Sequence, residues 1–179
     1  AVAVRVLKIC PIINDQLTQD QKIIVIVQLL EFCKSDRNEV SEQELEFIQA
    51  VYETFNISYE EYNLVKDFIL SPPEQLPESG DALIIHDEDN IQVPEETKVL
   101  RHDSLKGRIW VLHVGSANMY FVRYTGGTEL YLNGQLLPED KAVVFTHGGS
   151  IRDQKIKPIY YSKVVSQFRY KKLKPEDLK

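Results

Sequence analysis

At 179 residues, with 43% apolar and 27% charged positions, the chain has the make-up of a globular protein and falls outside the fibrous, low-complexity and disordered classes. Its longest apolar run, Ile23–Val27, is far short of the ~20 residues that a membrane-spanning helix needs. The two cysteines, Cys10 and Cys33, exclude a disulfide framework and lack metal-ligand spacing.

The net charge of −6 hides two opposite halves: residues 1–96 hold 6 Lys/Arg against 20 Asp/Glu, a balance of −14, and residues 97–179 hold 15 against 7, a balance of +8. Such polarity sets fields rather than partners, and the basic half points to an anionic partner. The chain opens on Ala-Val-Ala-Val, with no initiator Met and no basic stretch ahead of an apolar core. That start predicts an excised piece without a signal peptide, in a reducing cytosol.

In chain order, Val4 to Ile13 predicts a first helix broken near Pro11. Three helix starts follow. Thr18-x-x-Gln21, Ser41-x-x-Glu44 and Ser58-x-x-Glu61 each set a hydroxyl acceptor three residues before an acid or amide, which satisfies orphan N–H groups at a helix start. Between Thr18 and Ser35 the residues Ile23, Ile24, Val27, Leu30 and Phe32, with Val25, Ile26 and Leu29 between them, cover much of a helix circumference, as in a central bundle helix. Leu45, Phe47, Ile48, Val51, Tyr52 and Phe55, then Tyr62, Val65, Phe68 and Ile69, recur at three-to-four spacing and predict two amphipathic helices covering the first. The expectation is a bundle of about four helices.

In the turn Lys34–Ser41, Asp36 and Asn38 are spaced like the first ligands of a calcium loop. Position six is then Ser41 where the sharp turn needs Gly, and position twelve is Phe47 where a bidentate Glu is required. No metal is expected. The long helix, the run Cys33-Lys34-Ser35-Asp36-Arg37-Asn38-Glu39-Val40-Ser41-Glu42-Gln43-Glu44, and the two following helices resemble the tellurite-resistance TerB-like helical domain over residues 14–70. Asp36, Val40 and Glu44 fit that family's turn, and Arg37-Asn38-Glu39 departs from it by losing the Gly and adding a residue.

Ser71-Pro72-Pro73-Glu74-Gln75-Leu76-Pro77-Glu78-Ser79-Gly80 is proline-rich and aperiodic, a semi-rigid connector. Beyond it the pattern changes to short β-prone runs: 82–85, 91–93, 97–100, 109–114, 119–124, 130–132, 143–145 and 156–161. Their spacing predicts a β-sandwich. Leu130-Tyr131-Leu132-Asn133-Gly134-Gln135-Leu136-Leu137 is the clearest hairpin, since Asn-Gly supplies the two positive-φ residues of a type I′ turn. Val164–Arg169 predicts a last short helix or strand, and residues 171–179 a polar exit. The predicted fold class is α+β in two domains: an all-α helical bundle over residues 1–70, a connector over 71–81, and an all-β sandwich over 82–170.

Tyr120-Phe121-Val122, Leu130–Leu136 with its Asn-Gly, and Gly148-Gly149-Ser150-Ile151-Arg152 give the second half a resemblance to the forkhead-associated (FHA) domain, a sandwich that reads phosphothreonine. Gly107-Arg108 stands closer to Asn133 than that family's Gly-Arg pair usually does, and its Ser-x-x-His element is absent. The resemblance implies a site for a phosphorylated or acidic partner, with Arg108, Ser116, Asn118, Arg123, Asn133 and Arg152 as candidate contacts; an Arg fork with hydroxyl and amide donors suits an oxyanion. A purely structural sandwich is the alternative.

TerB-like helices followed by Arg123-Tyr124, Leu132-Asn133-Gly134, Gly149–Arg152 and Pro158-Ile159-Tyr160-Tyr161-Ser162 together resemble the amino-terminal region of large bacterial ATP-binding-cassette (ABC) transporter proteins. That resemblance implies a non-catalytic cytosolic regulatory or protein-interaction module, with the downstream ATPase of a parent chain and an acidic or phosphorylated protein segment as partners. The chain holds no G-x-x-x-x-G-K-[ST], so no nucleotide cofactor is expected in it, and no membrane insertion. No catalytic residues are expected: His113 and Ser116 are neighbours only in sequence, and His86, His102 and His147 are isolated. Nucleic acid is a further alternative, but the basic residues are scattered and no aromatic stacking motif interleaves them.

Overall fold

The computed structural model describes residues 14–37, 40–75 and 77–169. The expected helix at Val4–Ile13, the side chains of Asp36 and Asn38, and the exit at 171–179 lie outside the described backbone and side chains. The architecture is mixed α+β, with four named helices and two sheets. The chain falls into two compact units that part between Pro72 and Pro73, the short turn Val114–Asn118 grouping with the first.

The first unit holds α1 (Gln19–Arg37), α2 (Glu42–Thr54) and α3 (Tyr59–Leu70). Each start is capped as its sequence predicts. The Thr18 N–H donates to Gln21 Oε1 at 2.9 Å, Ser41 and Glu44 form a reciprocal box, and Ser58 Oγ accepts from the Glu61 N–H at 3.2 Å. α1 packs against both α2 and α3, burying Ile23, Ile26, Val27, Leu30 and Cys33. Phe32, expected among the buried positions, is 70% exposed; it lies off the stripe that Ile23, Val27 and Leu30 define at helical spacing. Across the facing helices Tyr52 stacks on Tyr62 with ring centroids 3.9 Å apart.

The second unit begins with the end of the connector, which is stitched down: Thr97 Oγ1 donates to the Pro77 carbonyl and accepts from the Ser79 N–H. Its first sheet runs in the order β2 (Lys98–Arg101), β1 (Ala82–His86), β3 (Arg108–Val114), β4 (Met119–Thr125), β7 (Ala142–Phe145). β1 and β2 are parallel, and β1–β3 and β4–β7 antiparallel. The second sheet runs β6 (Gln135–Leu136), β5 (Tyr131–Leu132), β8 (Ser150–Arg152), β9 (Ile159–Tyr160). α4 (Tyr161–Arg169) follows directly.

Alternation builds the core. Leu83, Ile85, Ile109, Val111, Tyr120, Val122 and Phe145 face inward from the first sheet and meet Leu130, Leu137, Ile151 and Ile159. α4 adds Val164, with Val165 and Phe168 against the same cluster. The alternate positions Ile84, Trp110, Leu112, Phe121 and Arg123 are buried as well, so the central strands are covered on both faces rather than half-exposed.

Three expectations change. Ile91–Val93 forms no strand; its half-exposed side chains leave little apolar surface to hold a pairing, and Pro94 follows. Residues 150–152, outside every predicted strand run, form β8, because Tyr131 and Leu132 supply its backbone partners. The run 156–161 shrinks to Ile159–Tyr160, since Pro158 has no N–H to give a ladder and the chain turns helical at Tyr161.

Candidate functional site

Three connections of the sandwich converge on one cleft of ≈ 470 Å³: residues 102–107 between β2 and β3, 126–130 between β4 and β5, and 153–158 between β8 and β9. Each is braced. The Ser104 N–H donates to Asp87 Oδ2 at 2.9 Å, and Ser104 holds φ at 68° while Leu105 is buried beneath it. Tyr124 Oη donates to the Lys106 carbonyl at 3.1 Å and accepts from the Thr128 N–H at 3.2 Å, which ties the first two connections together. Asp153 Oδ1 accepts from the N–H groups of Lys155 and Ile156, both at 2.6 Å, an Asp-headed turn of the usual kind.

These braces leave Lys106, Arg152 and Lys155 exposed around the cleft, with Ser104 as a hydroxyl donor; the Thr128 hydroxyl, 2.7 Å from Tyr124 Oη, donates to that phenol, whose own proton goes to the Lys106 carbonyl. Among the described residues no carboxylate comes within ion-pair range of these three cations. Among the described residues Arg152 spends only Nε, on Ser150 Oγ at 2.9 Å, and its guanidinium stands 5.7 Å from the centre of the Tyr160 ring. Two acids share the rim and both are occupied: Asp153 by the backbone as above, and Glu129 by the Tyr131 hydroxyl at 3.1 Å, whose phenol that carboxylate pushes up in pKa. The cleft therefore carries a net positive charge with free fork donors, which suits a compact anion.

Of the six candidates from the sequence, Arg152 alone lines this cleft. Arg108 gives Nε and Nη2 to Glu88 at 2.7 and 3.0 Å, and that fork holds the Glu88 carboxyl below its ordinary pKa. Arg108 lines a second hollow with Glu74 and Glu88, whose acids repel an anion. Arg123 is fully buried: Nε and Nη2 both reach Asp140 Oδ1 at 2.6 Å and the guanidinium lies 4.7 Å from the Trp110 ring. A fully buried guanidinium has no access to a ligand, so Arg123 is a core residue rather than a contact.

Asn133 is a brace. Its Oδ1 accepts from the Ser150 N–H at 3.0 Å and its own N–H donates to the Ser150 carbonyl at 3.1 Å, fixing the turn that leads into β8 and Arg152. Ser116 and Asn118 sit in the turn between β3 and β4, which groups with the helical unit. Sequence reading missed Ser104, Lys106, Thr128 and Lys155, because they come from three separate connections and share no motif.

The histidines are all engaged: His86 Nδ1 accepts from the Glu88 N–H at 2.9 Å, His102 Nε2 donates to the Lys157 carbonyl at 2.7 Å, His113 stacks on Tyr120, and His147 meets Tyr161 edge to face. Among the described residues no group of three His, Cys, Asp or Glu side chains is placed to hold a metal ion, and no helix is long and apolar enough to cross a membrane.

No protein-family model matches the chain, so neither the TerB-like nor the transporter resemblance gains support from that comparison. No curated protein matches it. Among solved structures the chain is similar to the crystal structure of the MEK1 FHA domain, at 21% identity over 45% of this chain and 68% of that one, with a TM-score of 0.29.

Proposed function

We propose that the sandwich unit is a non-catalytic protein-interaction module whose cleft takes an acidic or phosphorylated segment of a partner protein. The observation that carries this reading is the convergence of Lys106, Arg152 and Lys155, none of them ion-paired among the described residues, on a cleft that also offers the Ser104 hydroxyl. A phosphoryl group matches this donor set better than a carboxylate, since its three oxygens can take the Arg fork and a hydroxyl together. The sequence resemblance to the amino-terminal region of bacterial ABC transporter proteins supports a regulatory setting, with the ATPase of a parent chain as the element controlled.

The test is calorimetric titration with a phosphothreonine peptide and its unphosphorylated twin. The phosphopeptide binds and its twin does not; Arg152→Ala weakens binding at least about tenfold, the loss of one charge-assisted contact, without lowering Tm. Equal affinity for both peptides, or indifference to Arg152→Ala, removes the reading.

A further inference from the structure

Asn133-Gly134 is the only Asn-Gly pair in the sequence, and every other asparagine is followed by a residue with a side chain. Asparagine is among the thermolabile residues, and before glycine it is most reactive, because no Cβ shields the following nitrogen from the asparagine Cγ. The place of this pair in the fold sets how readily it reacts and what the reaction breaks. The turn is exposed, and a Cβ on Gly134 would meet no atom within 4 Å. It joins β5 and β6, two residues each, and β6 is the outermost strand of its sheet. Two register pairs and the bond from the Leu137 N–H to the Leu130 carbonyl hold it, while Leu136, 56% exposed, adds little burial. A short edge hairpin of this kind opens locally at low cost. Closed, it keeps the Asn133 carboxamide over Gly149, with Oδ1 on the Ser150 N–H at 3.0 Å.

We infer that Asn133 is a site of spontaneous deamidation whose product disarms the cleft. In the opened turn the Gly134 nitrogen bonds to Asn133 Cγ, its proton passing to hydroxide and returning with Nδ2, which leaves as ammonia. The succinimide ring so formed takes up one water and opens to an isoaspartyl or an aspartyl linkage. One water is consumed and one ammonia released, with no oxidant or enzyme required. The isoaspartyl linkage runs the main chain through Cβ and lengthens it by one carbon. A two-residue turn built on φ of 51° and 81° cannot absorb that carbon and keep Tyr131 opposite Leu136. Ser150 then loses both its ties to Asn133, the N–H at 3.0 Å and the carbonyl at 3.1 Å. Ser150 Oγ is in turn the group that holds Arg152 Nε at 2.9 Å, so the change reaches the cleft. The effect on binding rests on the cleft reading; the chemistry and the loosening of β8 do not.

Holding the full chain at mildly alkaline pH and mapping its peptides by mass tests this. Residue 133 acquires the mass of an acid and becomes a substrate for an isoaspartyl methyltransferase. Gly134→Asn, which tolerates positive φ but crowds the attacking nitrogen, acquires neither over the same interval. Amide hydrogen exchange over residues 150–152 quickens at least about tenfold in the isoaspartyl form, the loss of one hydrogen-bonded tie. The number of phosphothreonine-peptide sites per chain falls in step with the isoaspartate content. An unmodified residue 133, after an interval that converts an unstructured peptide of residues 128–138, overturns the site. Isoaspartate at 133 with unchanged exchange over 150–152 overturns the tie to β8. A full count of binding sites at high isoaspartate content overturns the disarming and leaves the cleft standing, whereas a fresh chain that binds no phosphopeptide overturns the cleft and the disarming together.

Discussion

Arg123 and Arg152 both stand on strands of the sandwich, and burial alone separates their roles. At Arg123 the charge is enclosed, and Asp140 with the Trp110 ring compensates it; at Arg152 the fork faces solvent beside a cleft. Removing one partner of a buried pair strands the other charge, at a cost of about 3–5 kcal/mol. Asp140 is itself part exposed, so Asp140→Ala destabilises the sandwich by about 3 kcal/mol, read from the urea midpoint, and Arg123→Met combined with it recovers part of the loss. Tyr62 makes a second case. Burial, with Tyr52 and Cys33 close by, pushes its phenol from 10.0 up to about 12. A raised pKa means the fold favours the neutral phenol, so this contribution is complete below pH 10 and is lost as pH rises towards 12. Phenolate absorbance shows a late-titrating component that Tyr62→Phe removes, and the stability of the helical unit declines over that interval; a late component unchanged in Tyr62→Phe contradicts it.

Elements formed where local chemistry was sufficient. The three helix starts carry their caps in four residues of sequence, and the Asn-Gly pair holds positive φ at 51° and 81° as a two-residue turn between β5 and β6. Local signals failed where pairing decides: Ile91–Val93 alternates like a strand and finds no neighbour, while Ser150–Arg152 lacks a strong signal and is recruited by β5. Gly107 shows how an element depends on a distant one. It holds φ at 82°, and a Cβ there would lie 2.2 Å from the Thr125 carbonyl oxygen on β4. Gly107→Ala therefore costs at least about 2 kcal/mol, since both the φ and the approach to backbone resist a side chain. Thermal unfolding measures it, and an unchanged Tm contradicts the close approach of the two strands.

Across the whole molecule the charge polarity is the property that sequence states most directly, with −14 before residue 97 and +8 after it. Where the positive excess becomes usable is a matter of geometry, because Arg101 and Arg108 are neutralised by Asp87, Asp89 and Glu88 from the acidic stretch after β1, while Lys106, Arg152 and Lys155 are gathered around one cleft to attract a partner. Phosphopeptide affinity consequently falls as salt rises from 0.05 to 0.5 M, since those cations are exposed and screened within a Debye length of ~4–14 Å. A salt-independent affinity in the calorimetric titration contradicts a role for the cleft's cations.

By itself the sequence determined the change from helical to strand period near residue 72, the helix caps, the Asn-Gly hairpin and the charge of each half, because each depends on neighbours a few residues apart or on simple composition. Which arginine is buried, which is paired and which is left to meet a ligand was decided only in the tertiary structure. Those outcomes turn on residues such as Asp140, Glu88 and Tyr160, brought to Arg123, Arg108 and Arg152 by strand register and loop bracing, and no local pattern encodes such a meeting.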